Sequence, residues 1–214
     1  MLSRLDPQAK RLLRRIPLAA AIAFLLWFAA GSEAYERTVA VVTETTLRAL
    51  ERPPVTFLTW EDGRVLIRRS DFSSRSQLPV FDLASVAGNA VLLFALYLST
   101  PGAGTRSGMA RGLLAFLLLF ITHVVHFALA IETIYATQLG SWSVYSYARW
   151  QREIVATGRY FFDIALKYAL PFVLWGLVIL LPELRRREAA AEAVEAQKAQ
   201  PKTWRERRKL RRRR

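Results

Sequence analysis

The sequence predicts an all-α membrane protein, a four-transmembrane-helix bundle with a small extracytoplasmic β-hairpin. Three observations carry this. Apolar residues, 53% of the 214, fall into four blocks with charge packed between them. Arginine and lysine gather at alternate connections between those blocks, the positive-inside pattern. One connection holds Asp62-Gly63 between two strand-like runs, the signature of a tight hairpin.

The charge distribution decides what the net charge of +14 means. Segments expected in the cytoplasm hold 20 of the 31 Lys and Arg, and residues 183–214 alone hold 13, with five Glu. The stretch 33–79 holds seven Arg and seven acids and is neutral. The basicity is therefore topological and is not the footprint of a specific nucleic-acid binder. The chain has no cysteine, which excludes disulfides, thiolate metal sites and a cysteine nucleophile. Two histidines and scattered carboxylates do not amount to a dedicated metal cage, and nothing in the sequence implies a cofactor.

Taken in order, residues 1–15 form a basic amphipathic cytoplasmic start with Arg4, Lys10, Arg11, Arg14 and Arg15. Residues 16–31 are the first span. They also fit the apolar region of a signal peptide, with Ala30-Gly31-Ser32 as a small-residue cleavage site, although the basic flank and Trp27-Phe28 suit a retained anchor better. Residues 32–77 lie outside. Val39, Val42, Thr46 and Leu50 recur at helical spacing, so an amphipathic helix extends the first span until Pro53-Pro54 ends it. The Asp62-Gly63 turn then places Glu61 opposite Arg64 and Trp60 opposite Val65.

Residues 78–100 are the second span, 101–111 a short cytoplasmic loop marked by Arg106 and Arg111, and 112–137 the third span. Residues 138–159 are aromatic and mixed in charge, which suits a helix lying in the outer interface. Residues 160–182 are the fourth span, with Pro171 expected to kink it. Residues 183–214 are a basic cytoplasmic tail. Arg185, Arg186, Arg187, Arg207, Arg208, Lys209, Arg211 and Arg212 enforce orientation as solvated charges or bind anionic lipid headgroups, at roughly 1 kcal/mol per basic residue near the surface.

Three polar sets sit inside the apolar blocks. Asp82, Ser85 and Asn89 share a face if the second span is helical throughout, forming either the wall of an outward-facing cavity or interhelical hydrogen-bonding groups. His123 and His126 lie one turn apart in the third span, as interhelical partners or a proton relay. Asp163 and Lys167 have the i, i+4 spacing of an intrahelical ion pair, self-neutralising or part of a convergent site. If the sets converge, Ser85, His123, His126 and Asp163 are the candidate catalytic residues. No established catalytic or nucleotide-binding motif supports them.

The order of features is also familiar. A basic start runs into Pro17-Leu18 and Leu26-Trp27, an outer segment with a hairpin follows, the second span ends Leu98-Ser99-Thr100-Pro101-Gly102, and the last carries Tyr168-Ala169-Leu170-Pro171-Phe172-Val173-Leu174-Trp175. This resembles the small membrane proteins associated with bacterial exosortases and, more distantly, the exosortase/archaeosortase family. That family's chemistry resembles sortase chemistry, with an outward-facing Cys, Arg and His. Ala84-Ser85-Val86-Ala87-Gly88 stands roughly where the Cys motif would be, Asp163 where a His is expected, and Arg149, Arg152 or Arg159 in place of the Arg. With no Cys, the resemblance implies an accessory relative and not a transpeptidase.

The expectation is thus a non-enzymatic accessory or scaffold protein of a protein-sorting or envelope-export system, multi-pass in a bacterial cytoplasmic membrane with both termini cytoplasmic. It would work with a membrane protein partner and with anionic lipids. A membrane-embedded hydrolase or transpeptidase-like enzyme at the outer face, and a small proton-linked transporter or sensor, are the alternatives.

Overall fold

The computed structural model describes residues 7–61, 63–72 and 79–199. Helix α1 (Pro7–Leu26) passes through a π-helical turn (Trp27–Gly31) into α2 (Ser32–Leu50). Strands β1 (Thr56–Glu61), β2 (Arg64–Arg69) and β3 (Val80–Phe81) follow, then α3 (Ala84–Ala87), α4 (Asn89–Ser99), α5 (Arg106–Thr137), α6 (Ser141–Ser146) and α7 (Arg149–Phe161). Beyond α7 come α8 (Lys167–Leu174) and α9 (Leu181–Ala199), separated by π-helical turns at Phe162–Leu166 and Trp175–Leu180.

The chain is mostly helical, and some of its helices are long and apolar enough to cross a membrane. By length and composition these are Arg106–Thr137, with a mean hydropathy of 2.4, and Arg149–Ala196, a continuous 48-residue helix with 2.1. A third candidate is the pair Arg14–Ala29 and Ser32–Leu50, bent by 65°. The apolar helix Ala84–Ser99 is shorter. Among the described residues two helices, or three with the bent pair, therefore meet this measure, fewer than the four spans expected.

The shortfall has a local cause. Residues expected at the start of a second span are used as a strand. Val80 and Phe81 pair antiparallel with Leu66 and Val65, and the Pro79 carbonyl accepts from Ile67 N at 2.9 Å. The expected hairpin is thus a three-stranded antiparallel sheet in the order β1-β2-β3. Its central register matches the turn chemistry, with Glu61 opposite Arg64, Trp60 opposite Val65 and Gly63 at φ 75°. A third strand relieves the marginal stability of two.

Helix α2 forms where its spacing predicts but buries a different face. Glu36, Val39, Ala40, Thr43 and Leu47 point inward, while Leu50 is exposed. The sheet decides this, because Val65 and Ile67 of β2 join Val39, Ala40 and Leu47 in one apolar cluster. The loop after α2 is fixed by the Glu51 carboxylate, which accepts the backbone N–H groups of Val55 and Thr56 at 2.9 Å and the Thr56 hydroxyl. In the stretch expected to be interfacial, α7 continues without a break toward α8 and packs against α5.

Helix α5 is the post of the molecule and serves two cores. At its sheet end Phe127, Ile131, Ile134 and Tyr135 pack with Val39, Val65, Ile67 and Leu83. At its other end Ala115 and Leu119 pack with Ala90, Leu93, Leu174 and Ile179. Two glycines admit close neighbours there. A Cβ on Gly112 would lie 2.5 Å from the Tyr97 ring, and one on Gly108 would run into the Gly102 carbonyl oxygen.

Candidate functional site

His123 and His126 are both buried on α5. Three residues on a helix turn about 300°, so the rings diverge by roughly 60° and reach different neighbours. Two separate polar assemblies result.

The first runs across four helices. Tyr35 Oη of α2 lies 2.7 Å from His123 Nδ1, and His123 Nε2 lies 2.7 Å from Asn89 Oδ1 of α4. Asn89 Nδ2 donates to the Lys167 carbonyl of α8 at 2.7 Å. Pro171 explains that last bond. It stands four residues after Lys167 and has no N–H, so the Lys167 carbonyl lacks its helical donor, and Asn89 supplies one from outside. The directions then follow. A carbonyl only accepts, so Nδ2 faces Lys167 and Oδ1 faces the histidine. His123 donates from Nε2 and accepts the Tyr35 hydroxyl proton at Nδ1. Both ring nitrogens are used, in the neutral form of the ring.

The second assembly opens toward the surface. His126 Nε2 lies 2.9 Å from Asp163 Oδ1, and Arg159 Nε lies 3.5 Å from Asp163 Oδ2. The His126 ring stacks on Phe162 at 5.3 Å between centroids, and the Arg159 guanidinium sits 5.8 Å from the centre of the Phe81 ring. The Asp163 side chain keeps 45% of its exposure, while that of His126 keeps 4%. A carboxylate that orients a buried imidazole and remains reachable from outside can shuttle a proton.

The other expected residues are placed elsewhere. Asp82 precedes α3, where its Oδ1 accepts from Ala84 N at 3.1 Å, and the exposed Ser85 donates its hydroxyl to the Asp82 carbonyl at 2.7 Å. Those two start a helix, and only Asn89 of that set enters the bundle. Among the described residues Asp163 pairs with His126 and Arg159 and not with Lys167, whose Nζ lies 5.6 Å from the Tyr168 ring centre. Arg159 is four residues before Asp163, as Lys167 is four after it, and the tertiary contact with His126 selects the former. Among the described residues no three His, Asp or Glu side chains are placed to hold a metal ion.

Three participants lie outside the set of polar residues expected from the sequence. Tyr35 is 88 residues from its histidine and has no local signal. Glu36 is buried beside the sheet, and its carboxyl is pushed above the usual range by burial and then by the charges of Asp82 and Glu33. Glu183, at the opposite end of the bundle, is buried and accepts Arg187 Nε at 3.0 Å and Arg111 Nη2 at 3.1 Å. It also packs on Gly102 (φ 89°), where a Cβ would come 2.7 Å from Oε1. Arg186 Nη1 donates to Ser107 Oγ at 3.1 Å, closing this cluster. Arg187 and Arg186 thus have protein partners, whereas Arg207, Arg208, Lys209, Arg211 and Arg212 lie outside the described residues.

The fold fits a membrane protein, a helical chain with helices long and apolar enough to cross a bilayer and a small sheet at one end. Comparison with protein-family models, curated proteins and solved structures finds no match for this chain.

Proposed function

We propose that the chain is an integral membrane accessory or scaffold protein, of the exosortase-associated kind that its feature order resembles. In this reading the shorter α3–α4 crosses as well, so that α1, α3–α4, α5 and α7–α9 form a four-span bundle with the sheet outside and both termini in the cytoplasm of a bacterial inner membrane. Arg111, Arg186 and Arg187 meet at one end of the bundle through Glu183 and Ser107 and support that orientation. The single observation that carries the accessory reading is the closed state of the first polar assembly. Tyr35, His123, Asn89 and the Lys167 carbonyl satisfy one another across four helices, which is the behaviour of structural groups. The test is to purify the tagged chain from its native membrane in mild detergent. A stoichiometric membrane protein partner is the expected result, and recovery of the chain alone, with no loss of protein sorting or export on its deletion, would end the proposal.

A second reading, a proton-linked sensor or transporter, is favoured by the accessible Asp163 beside His126. Its check is whether a pH-dependent flux or response disappears in His126→Gln while His123→Gln only lowers abundance. The basic end of the bundle, together with the tail, is assigned to anionic lipid headgroups. Flotation with vesicles containing phosphatidylglycerol, compared with neutral vesicles, tests that assignment.

A further inference from the structure

Helix α2 and the edge of strand β1 meet like the two rails of a ladder. The Val55 carbonyl accepts from Ser70 N, so Phe57, Thr59 and Glu61 bond to β2. The backbone N–H groups of Thr56, Leu58 and Trp60 therefore point to the free edge. Along that edge α2 and its closing residue set one side chain every seven residues. Glu51 accepts the Thr56 N–H at 2.9 Å, and Glu44 accepts the Leu58 N–H at 3.2 Å. Seven residues further back stands Arg37, with its guanidinium 5.8 Å from the centre of the Trp60 ring. Among the described residues the backbone N–H of Trp60 has no acceptor.

The third rung thus keeps the donor of the first two and carries a cation where they carry an acid. Glu44 shows how a carboxylate sits on such a rung. Its Oε2 takes the edge N–H, while its Oε1 lies 3.5 Å from Arg48 Nη1. At Trp60 the same two partners are present, an edge N–H and an arginine, and no described side chain brings the carboxylate. Arg37 donates Nη2 to Glu33 at 2.6 Å, but both side chains of that pair are more than half exposed, and a guanidinium has five N–H donors.

A groove of about 250 Å³ opens beside this rung, with Ala40, Val41, Leu58 and Val65 as its apolar lining between Arg37 and Trp60. Sites for drug-sized ligands measure ~300–1,000 Å³, so this one suits a single small ring or a short aliphatic chain. Addition of a whole strand to β1 is excluded, because Glu51 and Glu44 already hold two of the three edge N–H groups.

We infer that this groove binds a small carboxylic acid with an apolar body. One carboxylate oxygen accepts the Trp60 N–H, the other pairs with Arg37, and the apolar part lies against the indole, Val41 and Leu58. The site is built by α2 and the sheet alone and does not rest on the membrane reading.

Benzoate is the probe and benzamide its uncharged counterpart. The full chain, labelled with fluorotryptophan, is held in detergent micelles and followed by fluorine NMR. The chain has six tryptophans, and the Trp60 resonance is assigned by its loss in W60F. The expected result is that benzoate moves this resonance with half-saturation at roughly 1 mM while the other five hold still. Benzamide should leave it in place, and R37Q should weaken the benzoate response at least about tenfold, the loss of a charge-assisted hydrogen bond. Unchanged positions of the other five resonances in R37Q report that the fold is kept. No movement of the Trp60 resonance at about 10 mM benzoate, an equal response to benzamide, or an R37Q response equal to that of the wild type would each overturn the site. Equal movement of all six resonances marks uptake of benzoate by the micelle and would overturn it too.

Discussion

The two long apolar helices have similar hydropathy and opposite surroundings. In the most apolar stretch of Arg106–Thr137, 44% of residues are buried inside the protein, and in that of Arg149–Ala196 only 17%. The first helix reaches its neighbours through small residues, with Gly108, Gly112 and Ala115 all buried. The second carries its bulk outward and breaks its own regularity with two π-helical turns and Pro171. Hydropathy measures what a helix can leave behind in water. It does not say whether protein or lipid takes the other side, and side-chain size along one face does.

If that contrast is right, mutations should separate by helix. The largest effect is expected at the fully buried Phe127 of α5. Phe127→Ala should cost ~3–5 kcal/mol in reversible unfolding of the detergent-solubilised chain, because it leaves a cavity beside Phe81 and the sheet. Leu177→Ala on the other helix, 62% exposed, should stay within about 0.5 kcal/mol. Comparable losses at the two sites would erase the distinction.

Next come the histidines. His123→Ala strands Tyr35 Oη and Asn89 Oδ1 in the interior, at about 1–3 kcal/mol for each unpaired group. His126→Ala leaves Asp163 open to water, so its loss should be the smaller of the two. Thermal midpoints measured in one detergent rank them, and the reverse order would mean that the second assembly carries the structure.

A pH effect is expected where the two helices meet. Burial pushes Glu183 up, but the hydrogen bonds and charges of Arg187 and Arg111 outweigh it and hold the carboxyl below its usual range. A group lowered on folding contributes stability above its unfolded-state value and loses it as the pH falls through the folded-state value. The wild type should therefore lose stability on acidification below the usual carboxylate range. Glu183→Gln should be less stable at neutral pH and should show a flatter acid limb in a melting series. An unchanged acid limb would separate Glu183 from the clamp. The smallest effect is expected at Arg149 and Glu153, an ion pair with both side chains more than half exposed, where Glu153→Ala should change monomer stability by less than about 0.5 kcal/mol.

Much of the fold was legible because its signals are local. The turn at Gly63 and the strands beside it set a register that the structure keeps pair for pair. Pro171 marks a missing donor, and Lys167, four residues earlier, names the orphaned carbonyl. With that rule, Asn89 could have been recognised as a donor seeking it. Arg159 was visible as a partner for Asp163 at the same spacing as Lys167. The third strand was not legible, because Val80-Phe81 is apolar and two residues carry no usable period; β2 alone makes them a strand.

By itself, the sequence determined the helical and apolar character of the chain, the hairpin and its register, the absence of thiol chemistry, and the set of polar residues that have to be satisfied inside apolar segments. These are properties of composition and of contacts within a turn or two. Only the tertiary structure decided which polar residues meet. It joined Tyr35 to His123 and His126 to Asp163, moved Ser85 and Asp82 to a helix start, and left Lys167 without its expected acid. A buried polar group takes whichever partner the packing of distant helices brings within hydrogen-bonding distance, and that packing joins residues as far apart in the chain as Tyr35 and His123.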